Sequence, residues 1–169
     1  IHIANPNTTA TMTQGIAAAA QAAAPSGVEI VASEPEFGPA SIEGYYDGAF
    51  AVPGLLARIV EAEAAGADAH VIACFDDTGL DAARQIATAP VIGIGEAACH
   101  AAMLIANRFT VVTTLERSIP ALEHNLLKYG LERRARVRAA EVPVLALEDE
   151  ASDARARIDA EITRALVED

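Results

Sequence analysis

Cys74 is the residue whose type and surroundings best suit proton-transfer or nucleophilic chemistry. It closes an apolar run that predicts a strand, and a polar turn follows it. Asp77 or Thr78 can begin the next helix, which would place the sulfur near free N–H groups and favour the thiolate. Asp76 and Asp77 would oppose that ionisation if they face the sulfur. The alternative interpretation is a buried structural cysteine.

The other nucleophiles and ligand types are weaker candidates. Cys99 lies inside a predicted helix, three residues before Ala102 and four before Met103, which is the spacing of a core position. The four histidines lack metal-ligand spacing, so we expect no metal. Lys128, the one lysine, complements the end of a predicted helix, so we expect no pyridoxal chemistry.

A glycine motif offers a competing hypothesis. Gly93, Gly95 and Ala98 follow a predicted strand, open a helix and fit the dinucleotide-binding pattern, with Glu116 about twenty residues further on. The alternative is that small residues let this helix pack closely against the sheet.

Short β-branched runs alternate with alanine-rich stretches along the chain. The runs predict strands at 1–4, 28–31, 70–74, 90–92, 109–113 and 137–142, and the stretches predict helices at 9–22, 51–65, 79–88, 95–107, 117–129 and 151–167. Such alternation produces parallel sheets with helices on both faces. The predicted fold class is therefore α/β.

Composition excludes several classes of partner. The 169 residues are 52% hydrophobic, which is enough for a sizeable core. Twenty-four acidic residues against twelve basic ones give a net charge of −12, so we expect neither a nucleic-acid nor a membrane partner. Two cysteines, with neither a leader nor an apolar span of membrane length, favour a reduced cytoplasmic protein.

A weak internal repeat divides the chain. The strands at 1–4 and 109–113 each lead into a loop with two threonines and then a helix. We therefore expect two units, 1–94 and 95–169. In the first unit a later strand ends in Cys74, and the symmetry predicts an equivalent strand in the second half that the 169 residues do not contain.

Three loops are candidates for ligand contact or closure. Asn5 begins a polar loop after the first strand, and Thr113 and Thr114 begin its equivalent after the fifth; their amide, hydroxyl and N–H groups suit a carboxylate or an amide carbonyl. Capped turns are the alternative in both places. The turn-rich loop 36–44 is either a lid or an ordinary connection.

Six segments together resemble a known family, the cofactor-independent aspartate, glutamate and hydantoin racemases, and most closely its hydantoin and allantoin branch. They follow the family's order along nearly the whole chain: Ile3-Ala4-Asn5-Pro6-Asn7-Thr8, 39–44, His70-Val71-Ile72-Ala73-Cys74-Phe75, 90–97, 109–115 and 143–148.

The resemblance implies two pseudo-symmetric α/β lobes with the active site between them and two cysteines on opposite sides of the α-carbon of the substrate. Cys74 matches the first cysteine, and the backbone N–H groups of Phe75 and Asp76 would stabilise the enolate oxygen. The matched pocket residues are Asn5, Ile42, Thr113 and Thr114. It further implies a small-molecule substrate, a 5-substituted hydantoin or allantoin, with no cofactor, and we expect a homo-oligomer.

The second cysteine of the family has no match here, because Cys99 does not occupy its position. Carrying the spacing from Ile1 to Cys74 over to Phe109 predicts that cysteine at about position 182, and the 169 residues alone are expected to turn over poorly. An aspartate or glutamate racemase is the alternative within the family. The lack of an arginine in the matched pocket segments counts against an α-carboxylate substrate.

Overall fold

The computed structural model describes residues 1–169, and the chain divides into two compact units. Unit 1 comprises Ile1–Ile42 and Asp47–Gly95, and unit 2 comprises Glu43–Tyr46 and Glu96–Asp169. Strands and helices alternate, and every strand pairing is parallel. The predicted α/β class is confirmed.

Unit 1 is built on a four-stranded parallel sheet in the order β2-β1-β3-β4. Its elements are β1 (His2–Ala4), α1 (Ala10–Ala23), β2 (Val31–Ser33), α2 (Tyr45–Ala64, from Asp47 onward), β3 (His70–Ile72), α3 (Leu80–Ile86), β4 (Val91–Gly93) and the first two residues of α4 (Ile94–Ile105). The chain passes from β1 to β2 on one side and then returns to β3 on the other. A crevice between strand ends at such a change of direction is where open α/β sheets bind ligands.

The core of unit 1 lies between this sheet and two helices. Leu55 and Ile59 of α2 and Ile72 of β3 are fully buried. The rest of this cluster consists of Ala4, Leu80, Ala83 and Val91. Burying each large aliphatic side chain contributes about 2 kcal/mol, so these contacts fix β1 and β3 beneath the loops that follow them.

Unit 2 contains a two-stranded parallel sheet. Its elements are the remainder of α4, β5 (Phe109–Thr113), a 3₁₀ turn at Glu116–Ser118, α5 (Ile119–Lys128), β6 (Ala135–Ala139), a 3₁₀ turn at Val144–Glu148 and α6 (Ala154–Glu168). Cys99 packs with Leu126 and Leu131, so its predicted core position is confirmed. β5 pairs with β6 as β1 pairs with β2.

Several predicted boundaries are wrong, and three of the differences have a clear physical reason. α2 begins at Tyr45, not 51, with Asp47 in its first turn, where a carboxylate is stabilised by the helix dipole. β2 is Val31–Ser33 rather than 28–31, because the N–H of Val31 donates to Ile1 and sets the register. β6 ends at Ala139 rather than 142, since Glu141 has a φ of 56° and cannot continue an extended strand.

No helix in the structure is both long enough and apolar enough to span a lipid bilayer.

A buried histidine pair joins the first residues of β1 and β3. Nδ1 of His2 lies 3.0 Å from Nδ1 of His70, and Nε2 of His2 lies 2.8 Å from the hydroxyl oxygen of Ser33. Nε2 of His70 lies 3.5 Å from a carboxylate oxygen of Glu63. Burial, and then the charge that His70 can carry, lower the pKa of His2 to about 4. His2 is therefore neutral in the folded protein at pH 7.

We predict that the melting temperature falls between pH 6.5 and pH 4. In the unfolded chain His2 takes up a proton near its ordinary pKa of 6.5, whereas the folded protein resists protonation down to about pH 4. Acid therefore favours the unfolded state, by roughly 2–3 kcal/mol at the lower end of this range.

The variant His2→Gln should show a shallower dependence of melting temperature on pH, because one of the groups responsible is absent. His100→Gln, which changes an exposed histidine, is the matched control and should keep the wild-type slope. Equal slopes for all three proteins would contradict this account.

Candidate active site

Cys74 lies at the carboxyl end of β3, in the crevice between β3 and β1. The N–H of Ala73 donates to the carbonyl of Ala4 at 2.9 Å, so the strand ladder continues one residue beyond β3. The chain then turns, with the N–H of Asp77 donating to the carbonyl of Cys74 at 3.0 Å. Cys74 is half-buried and follows the strand rather than ending it.

Three donors converge on the sulfur of Cys74. The N–H groups of Asp76 and Thr78 point toward it. The hydroxyl oxygen of Thr78 lies 3.5 Å from Sγ. This arrangement resembles the nests of backbone N–H groups that bind anions, and it can accommodate a sulfur that gains and loses a proton.

The surroundings of Cys74 nevertheless favour the neutral thiol over the thiolate. Burial, reinforced by the negative charge of Asp76, raises the pKa of Cys74 to about 11, which outweighs the three donors. The expectation of a favoured thiolate is therefore wrong for the ligand-free protein. The pKa of Asp76 itself is raised to about 6, first by burial and then by the charge of Asp77.

Asp77 anchors the loop that carries Cys74. It is buried and has a left-handed φ of 50°, a conformation that aspartate tolerates better than most residues. Its Oδ1 accepts a hydrogen bond of 3.0 Å from the N–H of Gly95 in the first turn of α4. Free N–H groups and the positive end of the helix dipole at that position stabilise a carboxylate.

The two glycines at the start of α4 make room for this loop. A Cβ on Gly93 would overlap the Asp77 carboxylate, and one on Gly95 would overlap the carbonyl oxygen of Phe75. The glycine spacing considered as a dinucleotide motif thus has a packing role. The N–H of Gly95, which would face a phosphate, already donates to Asp77.

Asn5 lies after β1, beside the strand that leads to Cys74. It is buried, and its Nδ2 donates to Asn7 and to the hydroxyl of Thr13 at 3.0 Å each. Its Oδ1 accepts from the N–H of Asn7 at 3.2 Å. These bonds organise the loop and connect it to α1, so substrate binding by Asn5 stays a prediction.

The middle of the loop 36–44 is hydrogen-bonded to the loop that follows β1. The carbonyl of Pro39 accepts from the N–H of Thr8 at 3.0 Å, and that of Ala40 accepts from the hydroxyl of Thr9 at 2.7 Å. Ile42, half-buried, follows these contacts within unit 1. The contacts favour a fixed connection over a lid.

Thr113 and Thr114 belong to unit 2, where they end β5 and follow it. Their carbonyls accept from the N–H groups of Ala140 and Val142 at 2.9 and 2.8 Å. Both threonines are half-buried, and their substrate contacts stay predictions, as do those of Phe75 and Asp76. The structure has no group of three or more histidine, cysteine or acidic side chains placed to hold a metal ion.

From the sequence, Asp77 was predicted as a possible helix cap or as a charge opposing ionisation of Cys74, and Thr78 only as a possible helix cap. The structure gives Asp77 an anchoring role and directs Thr78 toward the sulfur, while Gly79 precedes α3 with a left-handed φ of 74°. A signal did exist, because Thr78 is four residues beyond Cys74 across a tight turn. The contact of Asp77 with Gly95 spans eighteen residues, and no local pattern reveals it.

Comparison with known proteins connects this site to a family. Residues 1–169 match a protein-family model described as Asp/Glu/Hydantoin racemase. A hydantoin racemase of Rhizobium meliloti is 50% identical over 170 residues, which cover 100% of this chain and 70% of that protein. A hydantoin racemase of Pseudomonas sp. (strain NS671) is 48% identical over 134 residues, or 79% of this chain and 54% of that one.

A solved structure extends the likeness to three dimensions. The allantoin racemase from Klebsiella pneumoniae matches with a TM-score of 0.97 and 46% identity, over 99% of this chain and 69% of that one. These matches define an isomerase of the racemase class. The chain belongs to the Asp/Glu/hydantoin racemase family.

We predict that Gly95→Ala displaces the Cys74 loop and removes most activity of the full-length protein. The added methyl overlaps a backbone oxygen of Phe75, which cannot rotate away as a side chain could. Gly15→Ala is the control, because a Cβ at that exposed helical position meets nothing within 4 Å and should stabilise the helix slightly. Thermal unfolding and alkylation of Cys74 report the two effects. Wild-type behaviour of Gly95→Ala would contradict the packing argument.

We also predict that Asp76→Asn makes the Cys74 thiol more reactive. Removing the carboxylate charge lowers the pKa of Cys74, so the rate of modification by methyl methanethiosulfonate should rise about three- to tenfold near pH 8. Below pH 6 the wild-type Asp76 is itself protonated, so the two proteins should converge. Asp81→Asn, an exposed carboxylate of α3, is the control. A constant ratio across this pH range would exclude the charge effect.

Proposed function

We propose that the full-length protein racemises 5-substituted hydantoins or allantoin without a cofactor, using Cys74 as one acid/base. The observation that carries the proposal is the position of Cys74 at the switch point of the parallel sheet, with three donors around its sulfur. The names of the relatives, hydantoin racemase and allantoin racemase, support the same substrate class.

The proposed reaction exchanges one proton at the ring carbon next to the carbonyl. For one enantiomer the Cys74 thiolate takes this proton and becomes a thiol, while the electron pair of the C–H bond moves onto the carbonyl oxygen as an enolate. The N–H of Phe75 is placed to donate to that oxygen in our proposal. A second thiol then delivers its proton to the opposite face, and the enolate collapses to the other enantiomer.

The resting protonation state of Cys74 suits half of this cycle. With its pKa near 11, the sulfur of Cys74 is a thiol in nearly every free molecule at pH 8. Cys74 is therefore ready to donate a proton to one enantiomer, and it must be deprotonated before it accepts one from the other. We accordingly expect the thiolate-dependent direction to quicken as the pH rises.

The second acid/base in this proposal is a cysteine C-terminal to Asp169. In unit 1, β1 has β2 on one side and β3, which leads to Cys74, on the other. In unit 2, β5 has β6 on one side, and the internal repeat predicts a further strand along its other edge. The family resemblance assigns the cysteine to the end of that strand.

The charges around Cys74 favour a neutral substrate over an amino acid. The carboxylate of Asp76 raises the pKa of Cys74, and the buried Asp77 follows Asp76 in the chain. No cation is among the groups that shift the pKa of Cys74. The α-carboxylate of aspartate or glutamate would be repelled here, whereas a hydantoin ring carries no such charge and offers N–H donors.

We predict that Cys74→Ala in the full-length protein abolishes racemisation of both hydantoin enantiomers, since each direction needs this sulfur as donor or acceptor. The change is followed by the decay of optical rotation, starting from each pure enantiomer, and by α-proton exchange in deuterium oxide. Cys99→Ala is the matched control, since it removes the core cysteine and should keep near-wild-type activity.

Unchanged racemisation by Cys74→Ala would contradict the assignment of Cys74 as an acid/base. Wild-type activity on free aspartate or glutamate that exceeds activity on hydantoins would instead favour the amino-acid branch of the family.

A further inference from the structure

Thr78 has the side chain that lies within hydrogen-bonding distance of the Cys74 sulfur. Its Oγ1 lies 3.5 Å from Sγ, within the range for hydrogen bonds to sulfur. A hydroxyl both donates and accepts, and its hydrogen rotates freely about the C–O bond. Thr78 can therefore bond to either protonation state of the sulfur without moving a heavy atom.

The side chain of Thr78 also lies near α2. A Cβ added at Gly48 of α2 would meet the methyl carbon of Thr78 at 3.7 Å and its hydroxyl oxygen at 3.9 Å, which is ordinary van der Waals contact. Asp77 and Gly79, the residues flanking Thr78, both have left-handed φ angles. The β-branched side chain of threonine has few rotamers, so the conformation of this loop restricts where the Thr78 hydroxyl can point.

We propose that Thr78 is a positioning residue whose hydroxyl follows the proton cycle of Cys74, accepting from the thiol and donating to the thiolate. This inference deepens the proposed function and rests on it. Thr78 neither gains nor loses a proton: when the sulfur gives its proton to the substrate, the hydroxyl rotates and donates to the resulting anion. When the sulfur is protonated again, the O–H bond of Thr78 rotates back, and its oxygen again accepts a hydrogen bond from the thiol.

The Thr78 hydroxyl stabilises the Cys74 thiolate in surroundings that otherwise disfavour a negative charge on the sulfur. Burial and the Asp76 carboxylate both disfavour the thiolate, and the opposing groups are Thr78 and two backbone N–H donors. Of these donors, only the Thr78 hydroxyl can also accept a hydrogen bond from the thiol. It thus holds the sulfur in one orientation through both half-reactions.

The experiment compares Thr78→Val with Thr78→Ser in the full-length protein. Valine keeps the shape of threonine and removes the hydroxyl, whereas serine restores the hydroxyl. We expect Thr78→Val to slow iodoacetamide alkylation of Cys74 about three- to tenfold near pH 8 and to shift its pH profile upward. Peptide mass spectrometry separates Cys74 from Cys99. In Thr78→Ser the wild-type profile should return.

Racemisation should follow the same order. Thr78→Val should lower kcat with little change in KM, because the hydroxyl acts on the sulfur and not on the substrate. Thr11→Val, at an exposed position of α1, is the control for a threonine-to-valine change. Thr78→Ala removes the hydroxyl in a smaller side chain and replaces the valine variant if that protein does not fold.

An alkylation profile unchanged in Thr78→Val, or a serine variant as impaired as the valine variant, would overturn the proposal. A lower melting temperature with no shift of the pH profile would indicate a purely structural role and would also overturn it. If wild-type protein shows no racemisation but the alkylation profiles differ as expected, the proposed function fails while the role of Thr78 toward Cys74 stands.

Discussion

The hydrogen bond between Asp77 and the first turn of α4 is the constraint on which the geometry around Cys74 depends. A buried carboxylate can occupy that place only because it meets a free helical N–H and because Gly93 and Gly95 leave space for it. The contact turns the loop back on itself, so that Asp77 adopts a left-handed conformation and the next residue, Thr78, faces the sulfur. One long-range contact therefore sets the position of the donors as well as that of the thiol.

The same contact explains the electrostatic character of the site. Burial, and then the charge of the neighbouring Asp77, raise the pKa of Asp76 to about 6, and the charge on Asp76 in turn opposes ionisation of Cys74. Negative charge is thus concentrated near the sulfur of Cys74. In the proposed reaction of a neutral ring, the same charge maintains a proton on the sulfur that must deliver one.

Much of this could be predicted from the sequence, and the reasons for the failures are physical. Alternating strand and helix patterns are local, so the α/β class and the position of Cys74 at the carboxyl end of the third strand followed from them, although the strand ends two residues before the cysteine. The pKa of Cys74 did not, since it depends on burial, which a local pattern does not measure. Likewise the contact of Asp77 with Gly95 joins residues eighteen positions apart, and the glycine pair by itself resembled a nucleotide motif. The predicted helix at 51–65 started too late, since α2 begins at Tyr45 and Pro53 lies within it.

The raised pKa of Cys74 also affects how readily this sulfur is oxidised or alkylated. Oxidation to sulfenic and higher acids proceeds through the thiolate, as does alkylation by electrophilic metabolites. A half-buried thiol with a pKa near 11 forms very little thiolate at neutral pH, so we expect peroxide to oxidise Cys74 slowly. Under the proposed function, these surroundings meet two demands at once: the sulfur must exchange protons during catalysis and must resist oxidation between reactions.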